Sequence, residues 1–370
     1  MSILFEATEI NGMTIKNRFV RSATWAGMAG DDGSCTPRLV ELMVKLAEGG
    51  VGLIITGHAY VSKKGQASPW QIGIYKDELI PGLQEMTDAV HEKGGKIVVQ
   101  LAHAGMFANS KLTGETPVAP SALSGFAKYL SKEMDLNDIE DLVEAFGQAA
   151  LRGKSAGFDG VQIHAAHGYL LNQFLSPAFN KRKDQYGGSI ENRAYILIEI
   201  LRSIRKQVGN NYPVLIKMNS RDFLEGGLEL EESIKAGAML KEEGIDAIEI
   251  SGGTAVSGKL SPIRRGISSE DDEAYFKDAA RAFKESIDIP LILVGGIRSF
   301  EVANDIVDNN IADYISMSRP FIREPELINR WKSGLQDKAN CLSDSKCFAP
   351  AMSGKGVYCV VEKRLKDKKF

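Results

Sequence analysis

Charge of one sign is what this 370-residue sequence lacks most plainly, since 45 basic residues stand against 48 acidic ones for a formal net charge of −3. A balanced surface has no field to gather nucleic acid or an anionic membrane, so polyanion-binding functions drop out. Cysteine is scarce as well. Cys35 lies far in sequence from Cys341, Cys347 and Cys359, which is not the dense framework of a small secreted fold, and a reducing cytoplasm is expected. Long apolar runs are missing too: the longest uncharged stretch, Gly160 to Asn180, holds two His, two Asn and two Gln, so no membrane span is expected. The opening Met-Ser-Ile-Leu-Phe-Glu has neither the basic nor the apolar region of a signal peptide. With only 12 prolines and 44% hydrophobic residues, the chain has the composition of a packed globular protein, not of a disordered one.

What the sequence does contain is a repeated unit. Helical patterns end in a turn residue and are followed by short β-branched runs that finish in Gly, His, Ser or Asn. Six such runs read as strands, Val51 to Gly57, Lys96 to His103, Gly160 to His164, Pro213 to Asn219, Ala247 to Ser251 and Pro290 to Gly295, and two more complete the set, Arg18 to Ala23 at the front and Ala312 to Ser316 at the back. Nearly continuous apolar strands alternating with helices require a parallel sheet covered by those helices, and eight units suggest a closed (β/α)₈ TIM barrel. A doubly wound open sheet is the rival, weakened because no G-x-G-x-x-G follows the first strand. Asn11-Gly12, the preferred type I′ pair, predicts an N-terminal β-hairpin over Phe5 to Asn17 that plugs the barrel bottom. Long insertions at Tyr60 to Leu79 and Phe107 to Leu136 follow strands, on the face where barrels carry chemistry. The chain reads as one domain, residues 1–370, with the barrel at about 18–335 and a cysteine-containing tail at 336–370.

Three groups of residues could carry chemistry. Gly295-Gly296 and Ser318-Arg319 end the last two strands, where barrels often place a phosphate: bare backbone, a hydroxyl and a guanidinium suit that anion. His164, His167 and Tyr169 leave the fourth strand within six residues. Two ring N–H donors there could grip a carbonyl oxygen, and a phenol could deliver a proton to carbon. A metal-binding pair is disfavoured, since no third ligand stands at a recognised spacing. Gln100 and Lys217 would face the same mouth; an amide edge and a cation fit a planar heterocycle. Lys217 could alternatively be a Schiff-base amine, which would make the protein a lyase.

Beyond these local readings, Lys16-Asn17-Arg18, the run Val98 to Gly105 (VVQLAHAG), His164 to Pro177 (HAAHGYLLNQFLSP) and Asp184 to Arg193 (DQYGGSIENR) resemble the old yellow enzyme family of FMN-dependent NAD(P)H:flavin oxidoreductases, or ene-reductases. The resemblance spans nearly the whole chain and implies an FMN-binding TIM barrel. It implies that Ser22, Ala23, Thr24, Trp25, Gly57, Gln100, Lys217, Gly295, Gly296, Ser318 and Arg319 bind FMN. His164 and His167 would hold the substrate carbonyl and Tyr169 would donate the proton. NADH or NADPH would reduce the flavin, which would pass hydride to the activated C=C of an α,β-unsaturated carbonyl. A flavin-binding electron-transfer subunit serving a partner is the non-enzymatic alternative. Small-molecule substrates are expected, with no nucleic-acid or membrane partner, and a homo-oligomer is compatible with the reading.

Two features depart from the family pattern. In Arg21-Ser22-Ala23-Thr24-Trp25 the family more often has a proline and then a small or sulfur residue beside the flavin. Longer relatives carry a cysteine cluster for a [4Fe–4S] centre and a second nucleotide-binding domain. This chain ends at Phe370 and keeps Cys341-x₅-Cys347-x₁₁-Cys359, one thiolate short of Cys₄ ligation, with Asp344 between. Three reduced, packed thiols are expected, a zinc site through Asp344 being the alternative, and no metal is assigned.

Overall fold

The hairpin, the barrel strands and the loops between them appear in the order the sequence suggests. In the computed structural model, which describes residues 2–367, the strands are β1 (Thr8–Ile10), β2 (Met13–Ile15), β3 (Phe19–Arg21), β4 (Leu53–Ile55), β5 (Ala59–Tyr60), β6 (Lys96–Ala102), β7 (Val118–Ala119), β8 (Lys132–Glu133), β9 (Gly160–Ala165), β10 (Val214–Asn219), β11 (Ala247–Ser251), β12 (Leu291–Val294) and β13 (Tyr314–Met317). Strands β3, β4, β6, β9, β10, β11, β12 and β13 are hydrogen-bonded in sequence order and in parallel, and β13 returns to β3, so the barrel is closed. The open-sheet rival is thereby excluded.

Side-chain alternation divides each strand between two environments. Outward residues such as Ile54, Val99, Ile163, Ile216, Ile248, Leu293 and Ile315 join the core shared with the surrounding helices. Inward residues Val20, Leu53, Ile55, Val98, Leu215, Ala247, Ile292 and Tyr314 form a second, separate apolar cluster with Ile10, Met13 and Ile15 of the hairpin. That cluster is the plug at the barrel bottom. The hairpin turns at Asn11 and Gly12, both at positive φ (44° and 78°), as a type I′ turn requires.

At their C-terminal ends β10 and β11 match the sequence reading, β9 and β13 run one residue further, and β3, β4, β6 and β12 stop short. The strand expected over Arg18 to Ala23 stops at Arg21, and that over Val51 to Gly57 stops at Ile55, because the chain there turns from ladder pairing to form the barrel mouth. The insertion after β6 contains the small parallel pair β7–β8, and the one after β4 contributes β5 to the edge of β6. No helix among the described residues is long and apolar enough to cross a membrane.

Candidate active site

Two residues above the apolar plug, the same strands turn polar. Ser22 follows Val20, Gln100 follows Val98, Lys217 follows Leu215, Glu249 follows Ala247 and Ser316 follows Tyr314, and β9 adds Gln162. These groups form one buried network. The Lys217 ammonium donates to Glu249 (3.0 Å) and to the Ser22 hydroxyl (2.8 Å); Ser22 and Ser316 donate to Glu249 (2.7 and 2.9 Å). Gln162 donates to the other Glu249 oxygen (2.8 Å) and accepts from Gln100 (2.7 Å). Burial alone would raise the Glu249 carboxyl, but Lys217 and the donors Ser22 and Gln162 outweigh it and hold it below the usual carboxylate range. Lys217 is thus committed to a carboxylate and a hydroxyl, a placement that suits electrostatic work rather than nucleophilic attack.

This network floors a cavity of about 1200 Å³, room for more than one drug-sized ligand. Ser22, Ala23, Thr24 and Trp25 line one side, joined to the end of β13 by a hydrogen bond between the Thr24 and Ser318 hydroxyls (2.7 Å). Gln100, Lys217, Gly296, Ser318 and Arg319 line it as well. Gly57 and Gly295 stand just behind the wall. A Cβ on Gly57 would come 2.9 Å from the Thr24 carbonyl, so its bareness lets the Ser22–Trp25 segment close down; one on Gly295 would meet Phe276 and Tyr275. Gly296, at φ +77°, faces the cavity over Tyr275, 2.8 Å from where a Cβ would sit. Arg319 is buried, with one guanidinium nitrogen on Ser343 and Ser345.

His164, His167 and Tyr169 converge on the opposite side of the same cavity. The His164 ring lies 5.3 Å from His167 and 4.9 Å from Tyr169, centroid to centroid. His167 sits at φ 63°, a strained conformation for a non-glycine residue, and is held there: its N–H donates to Asn219 (3.1 Å) and its Nε2 meets the Ser251 hydroxyl (2.7 Å). The rest of the HAAHGYLLNQFLSP string is its frame. Asn172 accepts from Gly168 N–H (2.7 Å) and donates to Asp222, which Asn219 also reaches, while Gln173 donates to the Gly168 carbonyl (2.6 Å). The DQYGGSIENR run braces it from below, with Arg193 on the Leu175 and Gly188 carbonyls and on Glu232. Most of that motif therefore positions the chemistry without taking part in it.

Electrostatically the histidines are neutral at ordinary pH. Burial, reinforced by His167, His58 and Lys217, holds His164 well below its usual value; burial with Lys217 and His58 does the same to His167. Burial raises the Tyr169 phenol, so it stays protonated. His58 was not singled out from sequence. It directly precedes β5, its Nε2 lies 3.2 Å from the Tyr169 hydroxyl, and burial pushes it down to about 4. Glu249 and Gln162 were also missed, although a lone carboxylate in the apolar run AIEIS, in register with Lys217, is a signal in itself.

The geometry accommodates a flavin: a glycine cradle beside Arg319, a polar row in the lumen, and buried Trp25 Nε1 and His164 Nδ1 atoms with no protein partner. Cys341, Cys347 and Cys359 border a void of only about 20 Å³ with Asp344, and among the described residues no three His, Cys, Asp or Glu side chains are placed to hold a metal.

Residues 3–338 match the family model of the NADH:flavin oxidoreductase / NADH oxidase family. The chain is 36% identical over 346 residues to an NADH oxidase of Thermoanaerobacter brockii, covering 92% of this chain and 52% of the relative. It is 38% identical over 323 residues to an NADPH dehydrogenase of Halalkalibacterium halodurans, covering 87% and 91% of the two chains. It superposes with a TM-score of 0.78 on the old yellow enzyme homologue of Zymomonas mobilis, at 28% identity and covering 91% and 94% of the two chains. It spans about half the length of some curated relatives, the NADH oxidase among them. This barrel, with its polar lumen and its histidine pair, belongs to the NADH:flavin oxidoreductase / NADH oxidase family, whose old yellow enzyme members it resembles in fold and sequence.

Proposed function

We propose that the chain is a cytoplasmic, single-domain, FMN-dependent ene-reductase that takes electrons from NADH or NADPH and reduces the activated C=C of an α,β-unsaturated carbonyl. The observation that carries this reading is the convergence of two neutral imidazoles and a protonated phenol on a cavity with a cationic, glycine-lined far end. Bound FMN supplies the hydride chemistry. The residues of this chain supply placement and charge.

Gln100 and Lys217 would face the flavin ring, with the Glu249 network fixing their orientation, and the Ser22–Trp25 backbone would flank it. Gly57 and Gly295 would act indirectly, by allowing the wall to close. Gly296, Ser318 and Arg319 would hold the phosphate, a bare backbone and a fixed guanidinium being what that anion needs. His164 and His167, as neutral donors, would grip the carbonyl oxygen where negative charge grows. Ser251 fixes the His167 ring, and His58 fixes the Tyr169 hydroxyl from which the α-carbon would receive its proton.

The test is the purified chain itself: a flavin absorption spectrum, and steady NAD(P)H oxidation that depends on an added cyclic enone. A colourless protein trapped on Lys217 by borohydride would replace this reading with the lyase. A flavoprotein inert to enones until a second protein is added would replace it with the electron-transfer subunit.

A further inference from the structure

The segment after β11 crosses the cavity and brings Lys259, Arg264 and Arg265 to its lining. Arg264 differs from its neighbours. Lys259 and Arg265 are exposed, whereas Arg264 is half-buried, with its guanidinium 4.3 Å from the Tyr275 ring centroid and 5.2 and 5.4 Å from those of Phe276 and Phe223. The other buried cations around the cavity already have protein partners: Lys217 has Glu249, Arg298 has Glu273 and the Cys341 carbonyl, and Arg319 has the Ser343 carbonyl and the Ser345 hydroxyl. Arg264 has only aromatic faces, and its Nε is buried without a hydrogen-bond partner. Removing a charge from water onto apolar rings is costly unless an anion completes the site.

Tyr275 locates that anion. The ring under Arg264 is the one a Gly296 Cβ would strike, its backbone N–H donates to Gly295 (3.1 Å), and its hydroxyl donates to the Pro262 carbonyl (2.9 Å), tying the segment down. Arg264 lies over the Tyr275 ring that Gly296 abuts, and Arg319 lines the same cavity, so both guanidiniums border its glycine end. A phosphate dianion takes two such forks.

We propose that Arg264 is a second guanidinium on the FMN phosphate, alongside Arg319, and that phosphate binding fixes the loop that carries it. The proposal rests on the FMN reading above. Its test is equilibrium titration of the flavin-free chain with FMN and with riboflavin, followed by flavin fluorescence. Arg264→Ala should weaken FMN by about tenfold or more, the scale of a charge-assisted hydrogen bond, and riboflavin by less than about threefold. Arg264→Lys should fall between, and Arg265→Ala should match the wild type. In the wild type, FMN but not riboflavin should slow tryptic cleavage after Lys259 and Arg265. Unchanged FMN affinity in Arg264→Ala, equal losses for both flavins, or a loop cut equally fast with FMN would overturn the proposal. A wild-type chain that binds neither flavin would instead overturn the FMN reading.

Discussion

The two layers of the barrel lumen are built from the same strands, two residues apart, and do opposite things. The lower layer, from Val20 to Tyr314, is apolar, sealed by the hairpin residues Ile10, Met13 and Ile15, and holds nothing that could react. The upper layer replaces it with Ser22, Gln100, Gln162, Lys217, Glu249 and Ser316, wired into one hydrogen-bonded network. The strand period of two lets one backbone carry a stability layer directly beneath a functional one. The polar layer is affordable because every charge in it is matched: an unpaired Lys217 at that depth would cost several kcal/mol.

If the layers are separable in this way, substitutions should divide by layer. The largest effect is expected for Glu249→Gln, which keeps the shape and leaves the Lys217 charge buried and unpaired. A loss of ~3–5 kcal/mol in chemical denaturation, together with loss of flavin, is predicted. A variant as stable as the wild type would mean that water or another group compensates Lys217. Next, Leu215→Ala in the lower layer opens a cavity in the plug and should cost ~2–5 kcal/mol while leaving FMN affinity of the folded fraction unchanged. Weakened FMN binding there would show that the layers are mechanically coupled. In the upper layer, Gln100→Ala should weaken FMN by ~1–3 kcal/mol with a smaller effect on folding, read by flavin titration beside thermal melting.

The broadest effect, which spreads over several residues, is that of pH. His58 and His103 are both pushed by burial from 6.5 to about 4, and His164 and His167 are also held low. At His58 and His103 the unfolded chain takes up protons near pH 6.5, while the folded barrel does not until about pH 4, and the lowered His164 and His167 act in the same direction. Stability should therefore fall as the pH drops through this window. Melting temperatures across it provide the check, and a flat profile would contradict the neutral state assigned to the carbonyl-gripping pair.

The barrel was legible because its signals are local: the Asn11-Gly12 turn, the glycines that end helices, and the β-branched runs. The histidine–tyrosine cluster was legible because one strand end carries all three residues. Glu249, Gln162 and His58 were not, since each acquires its role only from a residue far away in sequence, Lys217, Gln100 and Tyr169, and Arg264 was not, since its role depends on how the loop it shares with Tyr275 folds back. Some strand ends were overextended for a related reason. Residues such as Ala23 and Gly57 have strand-like neighbours, yet the paired strands β3 and β4 end before them. Gly57 and Gly295 illustrate a subtler limit: a bare position can serve a site by letting its neighbour approach, without touching the cavity.

Flavin placement by the polar floor and substrate grip by the His164–His167 clamp are separate tasks of the same cavity. Anaerobic stopped-flow on His164→Ala and His167→Ala measures that separation directly, because flavin reduction by NAD(P)H and reoxidation by a cyclic enone are followed separately. Flavin reduction should stay near the wild-type rate and enone-dependent reoxidation should slow by ~10²-fold or more, the scale of losing one oxyanion donor. Equal damage to both halves, or none to the second, would contradict it.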